Sequence, residues 1–283
     1  MTDATTLTGS ERIAAAFEVA RDEGRAALMP YMMAGYPDRE TSSGVAAAYA
    51  ENADLIELGI PFSDPLADGP TIHAAATAAL AAGASMETAM EICAEISGRV
   101  PVVFMVYANM VLAADGPIRQ GDLDVSARRQ AFGGFARRAL AAGACGAIVP
   151  DLPLEEAEPV RAAFDEAGLA LVPLVAPTTP AERRAKICAA ARGFVYVVST
   201  VGTTGERAEL PLELSDLVVA TKAEAEVPVA VGFGIGTPEQ AAQVGEVADG
   251  VIVGSRLVRA AGEEDPASAV GSFLREARVA LAG

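Results

Sequence analysis

DLIELGIPFSDPLADGPTI, residues 54–72, opens as an apolar run, carries a carboxylate at Glu57 in its middle, and ends in a loop with Pro61, Pro65 and Pro70. If the run is a strand, side chains alternate: Ile56, Leu58 and Ile60 share one face, and Leu55, Glu57 and Gly59 share the other. An acid among apolar groups is costly unless it is paired or protonated. Burial raises its pKa, which suits it to proton transfer near neutral pH. The structural alternative is a Glu paired with a buried Lys or Arg. The prolines fix φ and restrict the residues before them, so the loop can hold Asp64 and Asp68 rigidly. By composition alone, Asp68 is equally well a turn residue before Gly69.

Seven further apolar runs resemble residues 55–61: 27–35, 101–109, 146–153, 169–177, 194–200, 228–234 and 250–255. They are rich in Val, Ile and aromatics and mostly lack polar alternation, as expected for parallel strands buried on both faces. Ala-rich, charged segments at 128–142, 155–167, 180–191 and 237–247 have helical spacing. Thr179-Pro180 and Thr237-Pro238 read as helix starts, and Gly168 and Gly143 as C-caps. A helix capped by Ser10, with Ile13, Phe17 and Ala20 on one face, precedes the first run and is expected to cover the barrel bottom. Eight β-then-α units predict an α/β fold: a (β/α)8 TIM barrel in one domain, 1–283, with an extra N-terminal helix. A doubly wound open sheet is the competing architecture. In the barrel, Glu57 points inward near the C-terminal mouth, where such enzymes place catalytic groups.

The chain has 283 residues, 52% of them hydrophobic, enough for a large core, and a net charge of −17. That charge argues against nucleic acid and anionic membrane surfaces, which need a basic face. It does not exclude a small phosphate, because helix N-termini bind phosphate through backbone N–H groups. The first residues carry no basic segment followed by an apolar stretch, and no apolar run is long enough to span a bilayer. Cys93, Cys145 and Cys188 lack a disulfide or metal spacing, and one histidine, His73, makes a His/Cys metal site improbable. The expectation is a cytoplasmic protein with reduced thiols.

Gly-rich turns follow the last three runs: 200–211, 231–240 and 253–258. In a barrel the last two are the usual phosphate site. Ordinary tight turns are the alternative. Tyr107 and Tyr196 can wall an apolar pocket between phosphate and carboxylates. Met105, Tyr107 and Asn109 are read as one strand face, and Phe194, Tyr196 and Val198 as another. Residues 110–127 form a long polar excursion after the third run.

At this point the chain closely resembles the tryptophan synthase alpha chain family. The resemblance rests on IELGIPFSDPLADGPTI and on PYMMAGYPD (30–38), VYAN (106–109), PDLPLEE (150–156), GFVYVVSTVGTTGER (193–207), GFGIGTPEQ (232–240) and VGS (253–255). It implies a lyase that performs retro-aldol cleavage of indole-3-glycerol phosphate to indole and glyceraldehyde 3-phosphate. It also implies a beta-chain partner in an alpha2beta2 assembly, with pyridoxal phosphate in the beta chain and no cofactor in this one. By the same resemblance, Glu57 is the general acid–base group and Asp68 faces the indole N–H. Gly205, Phe233, Gly234, Gly254 and Ser255 match phosphate-binding positions. Tyr31, Tyr107 and Tyr196 match pocket positions, and Thr204 matches the closing-loop threonine. Tyr31 stands where many relatives have Phe, Thr200 stands where many have Arg, and the 110–127 excursion is longer than in typical relatives. A free-standing lyase, another phosphate-binding barrel enzyme and a non-catalytic activating subunit remain as alternatives.

Overall fold

The computed structural model describes residues 7–114, 125–198, 211–232 and 234–283, with residues 125–128 described by backbone alone. The strands are β1 (Ala27–Met33), β2 (Ile56–Gly59), β3 (Val102–Met105), β4 (Gly146–Ile148), β5 (Ala170–Val172), β6 (Leu174–Val175), β7 (Val195–Val198), β8 (Val229–Gly232) and β9 (Gly250–Val253). The helices are α1 (Gly9–Asp22), α2 (Arg39–Asn52), α3 (Pro70–Ala81), α4 (Met86–Ile96), α5 (Ala108–Leu112), α6 (Val125–Ala141), α7 (Ala157–Ala167), α8 (Ala181–Ala190), α9 (Leu212–Glu224), α10 (Pro238–Gly245), α11 (Ser255–Ala260) and α12 (Pro266–Ala282).

Every strand pairing is parallel, in the order β5-β4-β3-β2-β1-β9-β8-β7-β6. The two ends of that order, β5 and β6, are separated only by Pro173, so they are halves of the single run expected at 169–177. Proline has no N–H to give the ladder, which breaks there. Its carbonyl still accepts from the Tyr196 N–H at 3.0 Å. The nine strands among the described residues therefore correspond to the eight expected runs, and the barrel closes through the fifth.

Side-chain alternation sorts the core into two layers. Ile56, Leu58 and Ile60 pack outward in the layer between strands and helices. Leu55, Met29, Val103, Phe194 and Tyr196 fill the barrel interior, joined from below by Ile13, Phe17 and Ala20 of α1. The N-terminal helix thus plugs the bottom, as its apolar stripe predicts. Its cap is Thr8 rather than Ser10. Thr8 and Glu11 form a reciprocal capping box, which starts the helix early enough that Ser10 lies inside its first turn. Gly9 donates to the Gly168 carbonyl at 2.8 Å. A Cβ at Gly9 would lie 1.8 Å from the Cys145 carbonyl oxygen, so only glycine admits this approach.

The other helix boundaries agree with the sequence to within a few residues, with two corrections. Thr237 caps α10 in a box with Gln240, but Thr179 does not cap α8. Its hydroxyl accepts from the Ala176 N–H at 3.0 Å, so it closes the preceding turn and leaves Pro180 at the cap. Asn109 does not share a strand face with Tyr107, because β3 stops at Met105 and Asn109 belongs to α5. Both ends of the 110–127 excursion are thereby helical, in α5 and α6, while 115–124 lie outside the described residues.

Candidate active site

β2 presents Glu57 to the barrel interior, 1% exposed. Its register partners are Tyr31 on β1 and Val103 on β3. Neither carboxyl oxygen has a hydrogen-bond partner among the described residues, so the pairing with a buried Lys or Arg does not occur there. Burial first, and the nearby Asp68 second, raise its pKa to about 8. The side chain is accordingly a neutral acid at pH 7, which resolves the cost of placing it in an apolar wall.

The Pro-rich loop brings Asp68 to the same mouth. Asp68 N–H donates to the Pro65 carbonyl at 3.1 Å, and the Tyr107 hydroxyl oxygen accepts from Ala67 N–H at 3.0 Å. The Phe62 ring leans on Tyr107 with centroids 5.0 Å apart. Gly69 and Pro70 then open α3, fixing the far side. Asp68 is half-buried, and its pKa is raised to about 6: burial pushes it up, opposed by a hydrogen bond from Tyr107 and by His73. The turn alone does not account for such an environment.

Tyr31, Tyr107 and Tyr196 are all buried. The hydroxyls of Tyr31 and Tyr196 are pushed well up, by burial first and then by both carboxylates. Two glycines that sequence reasoning missed make room for them. A Cβ at Gly59 would lie 2.2 Å from the Tyr31 hydroxyl oxygen, and one at Gly232 would lie 2.4 Å from that of Tyr196. His73 was also missed as a neighbour of Asp68. Its place in the first turn of α3, five residues on, is the signal by which it could have been found.

On the opposite side of the mouth, β8 and β9 pair through Gly232 and Ile252 and end together. Gly234 has φ +36°, a conformation that strains any side chain. Gly254 caps α11, and its carbonyl accepts from Leu257 and Val258 N–H at 2.9 and 3.0 Å. Ser255 is the first residue of that helix. The Gly236 and Thr237 N–H groups donate to the Gln240 side chain at 2.7 and 3.2 Å, so these N–H groups are already engaged rather than open to the mouth. Thr200, Thr204, Gly205 and Phe233 lie outside the described residues. A cavity of about 740 Å³ at the other end of the barrel, lined by Phe17, Arg21 and Asp249 among others, contains none of these groups.

The arrangement supplies one neutral acid and one carboxylate between pH about 6 and 8, in an aromatic-walled mouth. Two carboxyls held in different environments take different chemical roles.

The sequence profile of the tryptophan synthase alpha chain family matches residues 17–278. The tryptophan synthase alpha chain of Synechococcus sp. (strain CC9902) is 46% identical over 254 residues, 88% of each chain. That of Carboxydothermus hydrogenoformans is 46% identical over 252 residues, 87% of this chain and 88% of the relative. Among solved structures, Mycobacterium tuberculosis tryptophan synthase superposes with TM-score 0.84 at 38% identity, covering 95% of this chain and 98% of the other. The alpha subunit of Legionella pneumophila str. Paris superposes with TM-score 0.82 at 34% identity, covering 98% and 99%.

Proposed function

The chain belongs to the tryptophan synthase alpha chain family, lyases that cleave indole-3-glycerol phosphate in tryptophan biosynthesis, and we propose that Glu57 and Asp68 carry that cleavage here. The observation that supports this assignment above others is Glu57 itself: buried, without a hydrogen-bond partner among the described residues, and neutral at pH 7 inside a barrel mouth.

Glu57 begins protonated and gives its proton to indole C3. Positive charge develops on the ring nitrogen, where the Asp68 carboxylate accepts the N–H and neutralises it. Glu57, now a carboxylate, takes the proton from the glycerol hydroxyl next to the ring. The bond between C3 and that carbon breaks, its electron pair returns to the indole ring, and the carbon becomes the aldehyde of glyceraldehyde 3-phosphate. Glu57 ends protonated, as it began, and nothing is oxidised or reduced. Tyr31, Tyr107 and Tyr196 wall the ring.

The phosphate is assigned to the backbone around Gly234, Gly254 and Ser255, with Gly205 and Phe233 completing it and Thr204 closing over the site. The reading is supported by the positive φ of Gly234 and by a helix start at Ser255 beside it. The family's partner is a beta chain. We assign this chain to an alpha2beta2 heterotetramer in the cytoplasm, with pyridoxal phosphate in the beta chain and no cofactor in this one. No helix among the described residues is long and apolar enough to cross a membrane. Indole release from indole-3-glycerol phosphate, with and without added beta chain, tests both the chemistry and the partnership.

A further inference from the structure

On the inner face of β2, Glu57 has two lateral neighbours, Val103 and Tyr31. Tyr31 is the one that carries a polar atom. Its ring runs up the barrel wall beside Glu57, and its hydroxyl lies over Gly59, where a Cβ would come within 2.2 Å of the oxygen. Gly59 thus leaves open the seat that the hydroxyl takes. The residue is 5% exposed, and Met105 and Val258 of the same apolar cluster hold the ring in the mouth. Glu57, meanwhile, has no hydrogen-bond partner for either oxygen among the described residues. Once it has given up its proton it is a buried charge that needs a donor.

We propose that Tyr31 is a positioning residue whose hydroxyl donates to the Glu57 carboxylate after proton transfer and aims it at the glycerol hydroxyl. This rests on the reading of Glu57 as the acid–base group, and it gives Tyr31 a task beyond walling the indole. No covalent step is involved. Tyr31 keeps its proton throughout, because burial and the facing Asp68, Glu57, Tyr107 and Tyr196 all oppose its ionisation. It is therefore a donor and not a second base.

A donor to the charged form lowers a carboxyl pKa, so removing it raises that pKa. Tyr31→Phe keeps the ring and deletes the oxygen. The expected result is a fall in kcat of about tenfold with KM within about twofold, the scale of one hydrogen bond to a charged group. The protonated-carboxyl infrared band of Glu57, identified as the band that Glu57→Gln removes, should titrate about one pH unit higher. Gly59→Ala leaves the hydroxyl present but fills its seat, and should move the band in the same direction. Thermal unfolding of each variant establishes that it is folded. A Tyr31→Phe enzyme with wild-type kcat and an unmoved band overturns the inference while leaving Glu57 in its role. If Glu57→Gln removes no band and retains turnover, the Glu57 reading fails, and the Tyr31 inference fails with it.

Discussion

Glu57 and Asp68 share one barrel mouth but hold their protons differently, the first with a pKa raised to about 8 and the second to about 6. Depth sets the order: Glu57 is buried in a strand, while Asp68 is half-buried on a loop beside Tyr107 and His73. The proposed reaction requires Glu57 protonated and Asp68 ionised. The plot of kcat/KM against pH should therefore be a bell with limbs near 6 and 8. Asp68→Asn should be severely impaired, and its residual activity should lack the acid limb. A wild-type rate that climbs steadily through pH 9 contradicts these roles.

The raised pKa of Glu57 also makes the fold pH-sensitive. In the unfolded chain this carboxyl titrates at its ordinary value near 4.5, and in the folded chain near 8. Between those values the native state holds a proton that the unfolded state has lost, so stability falls as pH rises, by about 1.4 kcal/mol per pH unit. Glu57→Gln removes this dependence. The variant should match the wild type near pH 4.5, gain on it up to pH 8, and keep a constant advantage above. Urea unfolding across pH measures it. A variant less stable than wild type at pH 8 would show that the ionised carboxylate is well satisfied after all.

Gly234→Val and Gly254→Val should each raise KM for the phosphorylated substrate by about tenfold or more, while unphosphorylated indole binds as before. The positive φ at Gly234 strains any side chain, and a Cβ at Gly254 would already sit 3.8 Å from the Tyr31 Cβ, so a valine there crowds the mouth. Inorganic phosphate should compete with substrate for the wild type. An unchanged KM in both variants would move the phosphate elsewhere.

Leu66 is 86% exposed on the same rigid loop that carries Asp68. In the proposed assembly, this exposed apolar side chain is a candidate contact for the beta chain. Adding a saturating beta chain should change the affinity for a substrate analogue by roughly 5–150-fold, and by linkage the analogue should change beta-chain binding equally. Leu66→Ala should weaken association. Equal analogue affinities with and without the partner would favour a free-standing lyase.

Much of this was legible in the sequence. Period-two alternation from Leu55 to Ile60 put Glu57 inside the barrel, because one face had to meet the helices and only the other could hold an acid. Pro61, Pro65 and Pro70 marked a fixed loop. Contacts between distant segments were not legible. Nothing near Tyr31 in sequence says that Gly59 makes room for its hydroxyl, since that fit arises only when β1 and β2 pair. Ser10 precedes the apolar stripe and so suits a cap, but the reciprocal Thr8–Glu11 box starts the helix earlier. Pro173 was readable as a strand breaker, yet its effect, splitting one run into the two ends of the sheet, needed the barrel.

The most direct test is turnover by Glu57→Gln. The amide keeps the shape of the side chain and cannot pass a proton. Indole released from indole-3-glycerol phosphate at pH 7, in the presence of beta chain, should fall by about 10²–10⁴-fold, with the substrate analogue still bound at near wild-type affinity. A variant that keeps more than about a tenth of wild-type turnover would contradict the assignment of Glu57 as the group that moves the proton.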